Sequence, residues 1–191
     1  MAEPTTTSYA ILCLLAVKPW TTYELAQQMV RSVGGVWPRA ASVVYEEPKR
    51  LVDLGLATAR SEFTGRRPRT VYAITPKGRR ALARWLEEPG AGPILEFEAL
   101  LKVAFADHGS VEGLRTNLVA IRDHARGQVE YSQERIREYE ESGGPFPHRL
   151  PVIMLTARFF LEFSEMLERW SAWAQDQVAD WDDIPVAVPD S

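Results

Sequence analysis

Basic side chains are concentrated in one short stretch of the sequence. Residues 38–80 carry ten Lys and Arg side chains against four Asp and Glu, which gives the stretch a net charge of +6. The 191-residue chain has a formal net charge of −4, so the remainder carries −10. This asymmetry predicts that one end of the chain faces a polyanion, with an ordinary solvated basic hairpin as the alternative.

Groups that carry catalysis or bind metals are scattered. The three histidines, His108, His124 and His148, have no metal-ligand spacing among themselves or with the single cysteine, Cys13. The sequence contains no glycine-rich phosphate loop and no nucleophile elbow. It therefore predicts a protein that is not an enzyme, with no catalytic residue, no metal and no cofactor.

Cys13 lies in the longest apolar run, between Leu12 and Leu14, and is predicted to be a small core residue rather than a redox sensor. One cysteine cannot form a disulfide within the chain, which fits a cytoplasmic location. No apolar run approaches the roughly 18 residues that cross a bilayer, and residues 1–8 lack the basic start of a signal peptide. We therefore expect no membrane association.

Three helices are predicted before residue 56. An apolar helix covers residues 8–17, and the capping box Thr21-Thr22-Tyr23-Glu24 starts a second helix that Gly34-Gly35 ends. Pro38 opens the third helix, which ends at Gly55. This third helix carries apolar residues at Val43, Val44, Leu51 and Leu54.

A hairpin and a fourth helix follow. Strand-like runs cover residues 56–63 and 69–75, joined by a turn at residues 64–68. Thr75-Pro76 then opens a helix to about residue 88, with a capping Thr and Pro at the first helical position. Its inward residues are predicted to be Leu82, Trp85 and Leu86. This order of elements is typical of a winged helix-turn-helix.

In a helix-turn-helix the second helix braces the DNA backbone, and the third reads the major groove with its N-terminal residues. Here those residues are Arg39, Ala40, Ala41, Ser42 and Tyr45. Arg39 is suited to guanine or phosphate, and alanine methyls are suited to thymine methyls. The full predicted DNA-binding set adds phosphate contacts and the hairpin tip: Thr22, Tyr23, Arg39, Ala41, Ser42, Tyr45, Lys49, Arg50, Arg66, Arg67 and Arg69.

Pro48 falls inside the predicted third helix. A proline removes the hydrogen bond to the carbonyl four residues back, at Val44, and clashes with it. The sequence therefore predicts a kink or a restart near Glu47. The alternative is that Pro48 only tilts Leu51 and Leu54 into the core.

A series of short motifs runs through residues 8–86. These are Tyr9-Ala10-Ile11-Leu12, Thr22-Tyr23-Glu24-Leu25, Tyr45 with Lys49-Arg50-Leu51, Gly55-Leu56, Tyr72, Thr75, Gly78 and Trp85-Leu86. In this order they resemble the PadR-type transcriptional regulators, although Thr22 stands where the family usually has Gly and Pro48 where it has an aliphatic residue. The resemblance implies a homodimer that represses nearby promoters, released in many members by a small molecule.

Two Pro and two Gly in residues 89–93 mark a domain boundary. We predict a winged helix-turn-helix domain at 1–88, a linker at 89–95, a helical dimerisation domain at 96–181 and a disordered tail at 182–191. From residue 89 onward, nine basic residues face eighteen acidic ones. The basic face is therefore confined to the first domain.

Three helices are predicted in the second domain, over residues 96–107, 111–141 and 150–180. The first is expected to turn Phe97, Leu100, Leu101, Ala104 and Phe105 inward. In the last, Val152, Phe159, Met166 and Trp173 are spaced by seven, as are Thr156, Phe163 and Trp170. Because two long helices leave such a stripe uncovered, we predict that the domain packs on a second copy.

Aromatic residues of the second half have two interpretations. A tentative effector pocket consists of Trp85, Phe97, Phe105, Phe163, Trp170 and Trp173. Flat aromatic faces suit planar phenolic ligands, which family members are known to bind. The alternative is a dimer core, because an aromatic stripe at helical spacing is usually core.

The sequence as a whole predicts a mainly α protein with a small β-hairpin wing: a winged helix-turn-helix domain followed by an α-helical dimerisation domain. The predicted function is a homodimeric repressor that binds a palindromic operator in double-stranded DNA and is released by a small aromatic effector. The alternative is a winged-helix ligand-sensing or protein-interaction module that does not bind DNA specifically.

Overall fold

Two units, Met1–Gly92 and Pro93–Ser191, make up the chain. The structure is a computed structural model that describes residues 3–38, 40–64 and 67–185. In these ranges no helix is both long enough and apolar enough to cross a membrane.

The first unit contains the predicted helices and hairpin in the predicted order, which confirms the winged helix-turn-helix. Its elements are α1 (Thr6–Val17), β1 (Trp20–Thr21), α2 (Thr22–Gln28), α3 (Ala41–Asp53), β2 (Ala57–Thr64), β3 (Arg67–Ile74) and α4 (Pro76–Glu87). A five-residue π-helix, Met29–Val33, extends α2. The helix α3 starts at Ala41, later than the predicted start at Pro38, so Ala40 is its N-cap residue.

The sheet has a strand that the sequence did not predict. β1 pairs antiparallel with β3, with Trp20 opposite Tyr72, and the strand order is β1-β3-β2. Two residues are too few to show the alternation that identifies a strand in a sequence. The Trp20 indole N–H also donates to the Leu14 carbonyl in α1 at 2.8 Å, which ties the strand to this helix.

The core of the first unit lies between α1, α2, α3 and the sheet. Ile11, Leu12, Leu25 and Leu51 are fully buried there. Pro48 is also fully buried, and α3 continues through it as one helix from Ala41 to Asp53. The prediction that Leu86 faces inward is wrong, because this side chain at the end of α4 is 63% exposed.

The second unit is built on two long helices. Its elements are α5 (Glu98–Ala104), a 3-10 turn (Ala106–His108), α6 (Val111–Ser142), a second 3-10 turn (Pro147–Arg149) and α7 (Leu150–Gln177). The helix α6 ends at Gly143, whose φ of 73° is the left-handed conformation that glycine adopts readily. The three predicted helices are present, and α5 and α7 are shorter than predicted.

The core of this unit lies between α5, α6 and the end of α7. Leu114, Leu118, Ile121, Ala174 and Val178 are buried, with Phe97, Ala99, Val103, Ala106, Trp170, Trp181 and Ile184 packed against them. The inward face predicted for α5 is partly wrong, because Leu101, Ala104 and Phe105 are exposed. Ile184 belongs to the segment predicted as a disordered tail, and residues 186–191 of that segment lie outside the described residues.

The Arg115 guanidinium joins α6 to the C-terminal end of α7. It donates to the carbonyls of Val178 (3.0 Å), Ala179 (2.7 Å) and Trp181 (2.8 Å). Carbonyls at and just beyond the end of a helix commonly lack a backbone donor, and a cation there interacts favourably with the helix dipole. This fork therefore explains why the chain stays folded on α6 beyond the last turn of α7.

Candidate nucleic-acid interface

The helix α3 divides into a buried face and an exposed face. Val44, Pro48 and Leu51 are buried, at the i, i+4, i+7 spacing of one helix face. The opposite face exposes Ser42, Tyr45, Glu46, Lys49 and Asp53. The predicted base-reading residues Ser42 and Tyr45 therefore lie on the solvent side of α3, where a ligand could approach them.

Lys49, a predicted phosphate contact, is on the same exposed face. Its ammonium is 2.7 Å from the Glu46 carboxylate, one turn earlier on α3. This hydrogen bond raises the pKa of Lys49. The ion pair is solvent-exposed on both sides, and such pairs hold their partners weakly. Lys49 thus remains able to exchange Glu46 for another anion.

Arg50, also predicted to contact phosphate, is engaged elsewhere. Its guanidinium is 3.0 Å from the Glu47 carboxylate and 3.5 Å from the Ser8 hydroxyl, and it also donates to the Glu3 carbonyl. Ser8 is fully buried and donates to Glu47. Because these contacts join the start of α1 to α3, the geometry favours a positioning role for Arg50.

The start of α2 is fixed by the predicted capping box. The Thr21 hydroxyl accepts from the Glu24 backbone N–H at 3.2 Å, and the Glu24 carboxylate accepts from the Thr21 backbone N–H at 2.9 Å. Hydrogen bonds from the Thr21 side chain and backbone lower the pKa of Glu24. Both donors at the start of α2 are thereby satisfied, which sets where the helix begins.

Thr22 and Tyr23, the predicted contacts from α2, follow this cap directly. Thr22 is half-buried, and Tyr23 is exposed. The Tyr23 hydroxyl accepts from the Gln27 amide at 2.9 Å, one turn later. Tyr23 is therefore an exposed, oriented polar group at the N-terminal end of α2, as a backbone-bracing helix requires.

The hairpin of β2 and β3 projects from the first unit. The strands pair in register from Ala57 opposite Ile74 to Thr64 opposite Arg67. Every residue of β2 from Thr58 to Phe63 is exposed. Arg69 lies opposite Glu62, with 3.3 Å between the guanidinium and the carboxylate.

Two of the predicted DNA-binding residues, Arg39 and Arg66, lie outside the described residues. Ala41 and Arg67 are described as the first backbone positions of α3 and β3. Their place in the interface stays a prediction.

Other basic residues of the 38–80 stretch hold the first unit together, which the sequence reasoning missed. The Lys77 ammonium donates to the Leu54 carbonyl at the end of α3 (2.8 Å). Arg79 reaches the Ala16 carbonyl in the last turn of α1 (3.5 Å). Such contacts to helix C-termini are a normal use of basic side chains. The net charge of the stretch therefore overstates the number of cations available to a polyanion.

The turn between α3 and the wing is held by backbone and small side chains. Gly55 has a φ of 69°, in the left-handed region that favours glycine. Its carbonyl accepts from the Thr75 hydroxyl at 2.8 Å. A Cβ at Gly78 would lie 2.1 Å from the Leu56 carbonyl oxygen, so only glycine fits there. These contacts fix the hairpin relative to the end of α3.

The six tentative effector residues are divided between the two units, Trp85 in the first and the other five in the second. In the first unit, Trp85 stacks on Tyr9, with 4.7 Å between ring centroids and 6° between planes. In the second unit, Phe97 and Trp170 pack on the core, Phe163 stacks on Phe159, and Trp173 is exposed. Phe105 lines an open cleft of about 570 Å³ formed by α5, the 3-10 turn and the start of α6.

No group of three or more His, Cys, Asp and Glu side chains that could hold a metal ion occurs within residues 3–38, 40–64 and 67–185.

Comparison with known families identifies the first unit. Residues 11–84 match the model described as the transcriptional regulator PadR-like family. The chain belongs to this family. Residues 97–179 match a second model, described as virulence activator alpha C-term. The members found by these comparisons are transcriptional regulators rather than enzymes, in agreement with the sequence-based expectation.

Two transcriptional regulators are similar to the chain in sequence. The chain is 31% identical over 125 residues to the probable transcriptional regulator Rv1176c of Mycobacterium tuberculosis, covering 60% of this chain and 66% of that protein. It is 32% identical over 79 residues to the negative transcriptional regulator PadR of Bacillus subtilis, covering 41% and 43%. The chain thus spans no more than about two thirds of either relative.

Solved structures of Bacillus subtilis PadR have the same fold. Its complex with operator DNA superposes with a TM-score of 0.79 at 21% identity, covering 91% of this chain and 99% of that chain. Its complex with p-coumaric acid gives a TM-score of 0.72 at 20% identity, covering 92% and 100%. At these identities the likeness establishes the fold alone.

Proposed function

We propose that this PadR-like regulator is a homodimeric repressor that binds a roughly palindromic operator in double-stranded DNA. The observation that carries the proposal is the exposed face of α3, with Ser42, Tyr45 and Lys49, in a unit that also projects a basic hairpin. Bacillus subtilis PadR, a negative regulator of the same fold, binds operator DNA.

In this proposal α3 enters the major groove. Ser42 and Tyr45 contact base edges, since the first residues of a recognition helix read the sequence. Arg39 and Ala41 belong to the same end of the helix in the sequence. Lys49 contacts phosphate after leaving Glu46. Thr22 and Tyr23, at the start of α2, brace the backbone.

The basic tip of the hairpin contacts the DNA backbone or the minor groove beside it. Arg66 and Arg67 occupy the turn in the sequence, and Arg69 is exposed on β3. Arg50 acts indirectly, by holding α3 against the start of α1. Lys77 and Arg79 contribute to the fold of the domain rather than to DNA.

Dimerisation is supported by an apolar stripe along α7. Val152, Phe159, Met166 and Trp173 are spaced by seven residues and are 59%, 56%, 41% and 58% exposed. Leu155 beside them is more exposed still. An apolar stripe of this length on one helix marks a protein interface, and the seven-residue spacing suits another helix. We propose that the stripe packs on the same unit of a second copy.

A small aromatic effector is the proposed release signal. Bacillus subtilis PadR has been solved with p-coumaric acid, a phenolic carboxylic acid. In this chain Leu101, Phe105 and Leu114 give the cleft apolar walls, and Lys102 and His108 also line it. A planar ring against Phe105 with its carboxylate towards Lys102 fits this lining.

The first test is fluorescence anisotropy with the DNA upstream of the protein's own gene and an unrelated duplex, at several salt concentrations. We expect selective binding that weakens steeply with salt, because phosphate contacts release counterions. Equal binding of both duplexes would mean that the operator lies elsewhere. No binding even at low salt would favour a ligand-sensing module that does not use DNA.

The hairpin is tested by replacing Arg66 and Arg67 together with Ala. If both contact phosphate, the slope of log affinity against log salt falls by about two. The matched control replaces Arg126 and Arg158, two exposed arginines of the second unit, and removes the same charge. An unchanged slope in the hairpin variant would exclude the hairpin from the interface.

The effector is tested by tryptophan fluorescence and thermal shift with p-coumaric acid and related aromatic acids. Binding by the wild type and its loss in Phe105→Ala are the expected results. Leu95→Ala, at an exposed apolar residue of the linker, is the control. If no aromatic acid binds the wild type, the effector assignment is wrong.

A further inference from the structure

An exposed apolar pair is present near the tip of the hairpin. Phe63 on β2 lies directly opposite Pro68 on β3. Phe63 is 71% exposed, and Pro68 is also exposed. Directly opposite residues of an antiparallel pair point to the same face of the sheet, so these two side chains are neighbours. The hairpin therefore presents a small apolar surface at its far end.

The two faces of the hairpin differ in charge. Because side chains alternate along a strand, one face contains Arg60, Glu62 and Arg69, which we name the charged face. The other contains Ser61, Phe63, Pro68 and Thr70, which we name the uncharged face. Nearer the core, the uncharged face continues to the buried Ala57 and Tyr72. Phe63 is thus an apolar side chain on the uncharged face, at the part of that face that lies beyond the core.

A role in the core does not account for Phe63. One residue pair on this face, Ser61 with Thr70, separates it from the buried Tyr72, and two pairs separate it from the buried Ala57. With most of its surface in water, its replacement has little apolar burial to lose. A charged residue would be as compatible with the exposed tip of a strand, and charges at such edges also prevent aggregation.

We propose that Phe63 and Pro68 form an apolar contact with deoxyribose and base edges of the minor groove that flanks each half-site. This rests on the proposed DNA binding. Minor-groove proteins combine arginines with apolar wedges such as Phe and Pro. The chain places Arg69 next to Pro68, and Arg66 and Arg67 within four residues of Phe63. The cations draw the tip to DNA, and the apolar pair determines which groove geometry it fits.

The apolar contact and the arginine contacts should affect DNA binding differently: the first changes the affinity alone, and the second changes both the affinity and its salt dependence. An apolar contact releases no counterions, so its loss weakens binding without changing the salt slope. A phosphate-binding arginine changes both. The contact also depends on groove width and flexibility, which differ between A·T-rich and G·C-rich flanks. Phe63 therefore influences the preference for sequences outside the segment that α3 reads.

The experiment measures anisotropy of full-length wild type, Phe63→Ala and Phe63→Leu on the operator and on duplexes whose flanks are A·T-rich or G·C-rich. We expect Phe63→Ala to bind about tenfold more weakly, as for the loss of one buried aromatic contact. Its salt slope stays that of the wild type, and its flank preference shrinks. Phe63→Leu retains most of the affinity. Leu86→Ala, at an exposed apolar residue of α4, is the control.

A second measurement is independent of the stability of these variants. A photoreactive benzoyl-phenylalanine at position 63 should cross-link to the flanking bases, and the same group at position 86 should not. Failure to cross-link, or wild-type affinity in a folded Phe63→Ala, overturns the inference while leaving the repressor proposal intact. Cross-linking to a protein partner instead of DNA also overturns it. If the wild type binds no DNA, the proposed function itself fails.

Discussion

The two units of this protein bury their apolar side chains differently. In the first, Ile11, Leu12 and Leu51 are fully buried within a single copy, between helices and a sheet. In the second, Val152, Phe159 and Trp173 remain more than half exposed on a helix of 28 residues. The first unit buries its core within a single copy, and the second leaves an apolar face of α7 exposed.

The difference follows from how α6 and α7 pack. Their shared seam contains small residues: Ala125, Ser164 and Ser171 are buried, and the two serines donate to carbonyls within α7. Small residues let helices approach closely. Phe159, Met166 and Trp173 lie on the exposed side of α7. A two-helix hairpin has only one seam, so these side chains stay exposed in a single copy, and the proposed dimer would cover them.

The largest effect is expected from a substitution at Phe159, which tests whether the exposed face of the second unit is a dimer face. Phe159→Glu would place one carboxylate per copy in the proposed dimer face. Burying an unpaired charge is costly, so we expect association to weaken by about a thousandfold, roughly 4 kcal/mol. Analytical ultracentrifugation should show a monomer with unchanged helix content. Thr116→Glu, at an exposed site on α6, is the matched control, and a Phe159→Glu variant that remains dimeric would contradict the assignment.

A Gly→Ala substitution in each unit tests whether the first unit is the more closely packed of the two at these glycines. Gly78→Ala forces a methyl group against the Leu56 carbonyl and should cost about 2 kcal/mol, as overpacking does. In Gly127→Ala, the new methyl on α6 meets no atom within 4 Å. That variant should be neutral or stabilised by up to about 1 kcal/mol, since Ala favours helix over Gly. Thermal unfolding compares the two, and equal effects would refute the contrast.

The smallest expected effect concerns the cap of α2. Thr21→Ala should cost about 1 kcal/mol, as other N-cap replacements do. The Glu24 carboxylate has a pKa below its ordinary value of 4.5, so its contribution is present above that value and lost as pH falls through the lowered pKa. Hydrogen exchange of the α2 amides should therefore distinguish Glu24→Gln from wild type at neutral pH. A difference that persisted at a pH where Glu24 is protonated would contradict this origin.

Local signals in the sequence predicted much of the fold. The capping box at Thr21, the Thr75-Pro76 helix start and the break after residue 142 depend on contacts within a few residues, so the sequence contains them. The heptad stripe of α7 could also be predicted, because the spacing of residues along one helix does not depend on the elements that pack against it. The two-residue β1 was missed because its evidence is a partner, Tyr72, fifty-two residues away.

The sequence does not show which basic side chains are engaged within the fold. Arg50 belongs to the predicted DNA-binding set, and Lys77 and Arg79 belong only to the charge of the basic stretch, yet each contacts a carbonyl or carboxylate of its own unit. Charge in a sequence does not reveal which anions or carbonyls folding brings nearby. The DNA-binding and effector residues therefore remain predictions. The proposal places DNA on the exposed face of α3 and the hairpin tip, and the effector in the cleft beside Phe105.

The sequence by itself determined the order of the elements, the two-part organisation and the family, because these depend on periodicity, caps and short motifs. Only the tertiary structure decided which residues are available. It showed that Phe63 extends into solvent opposite Pro68, that Arg50 is held by Glu47, and that the aromatic stripe of α7 is uncovered. The physical reason is that the burial and the hydrogen-bond partners of a side chain depend on residues distant in sequence. A local sequence pattern contains no information about those residues.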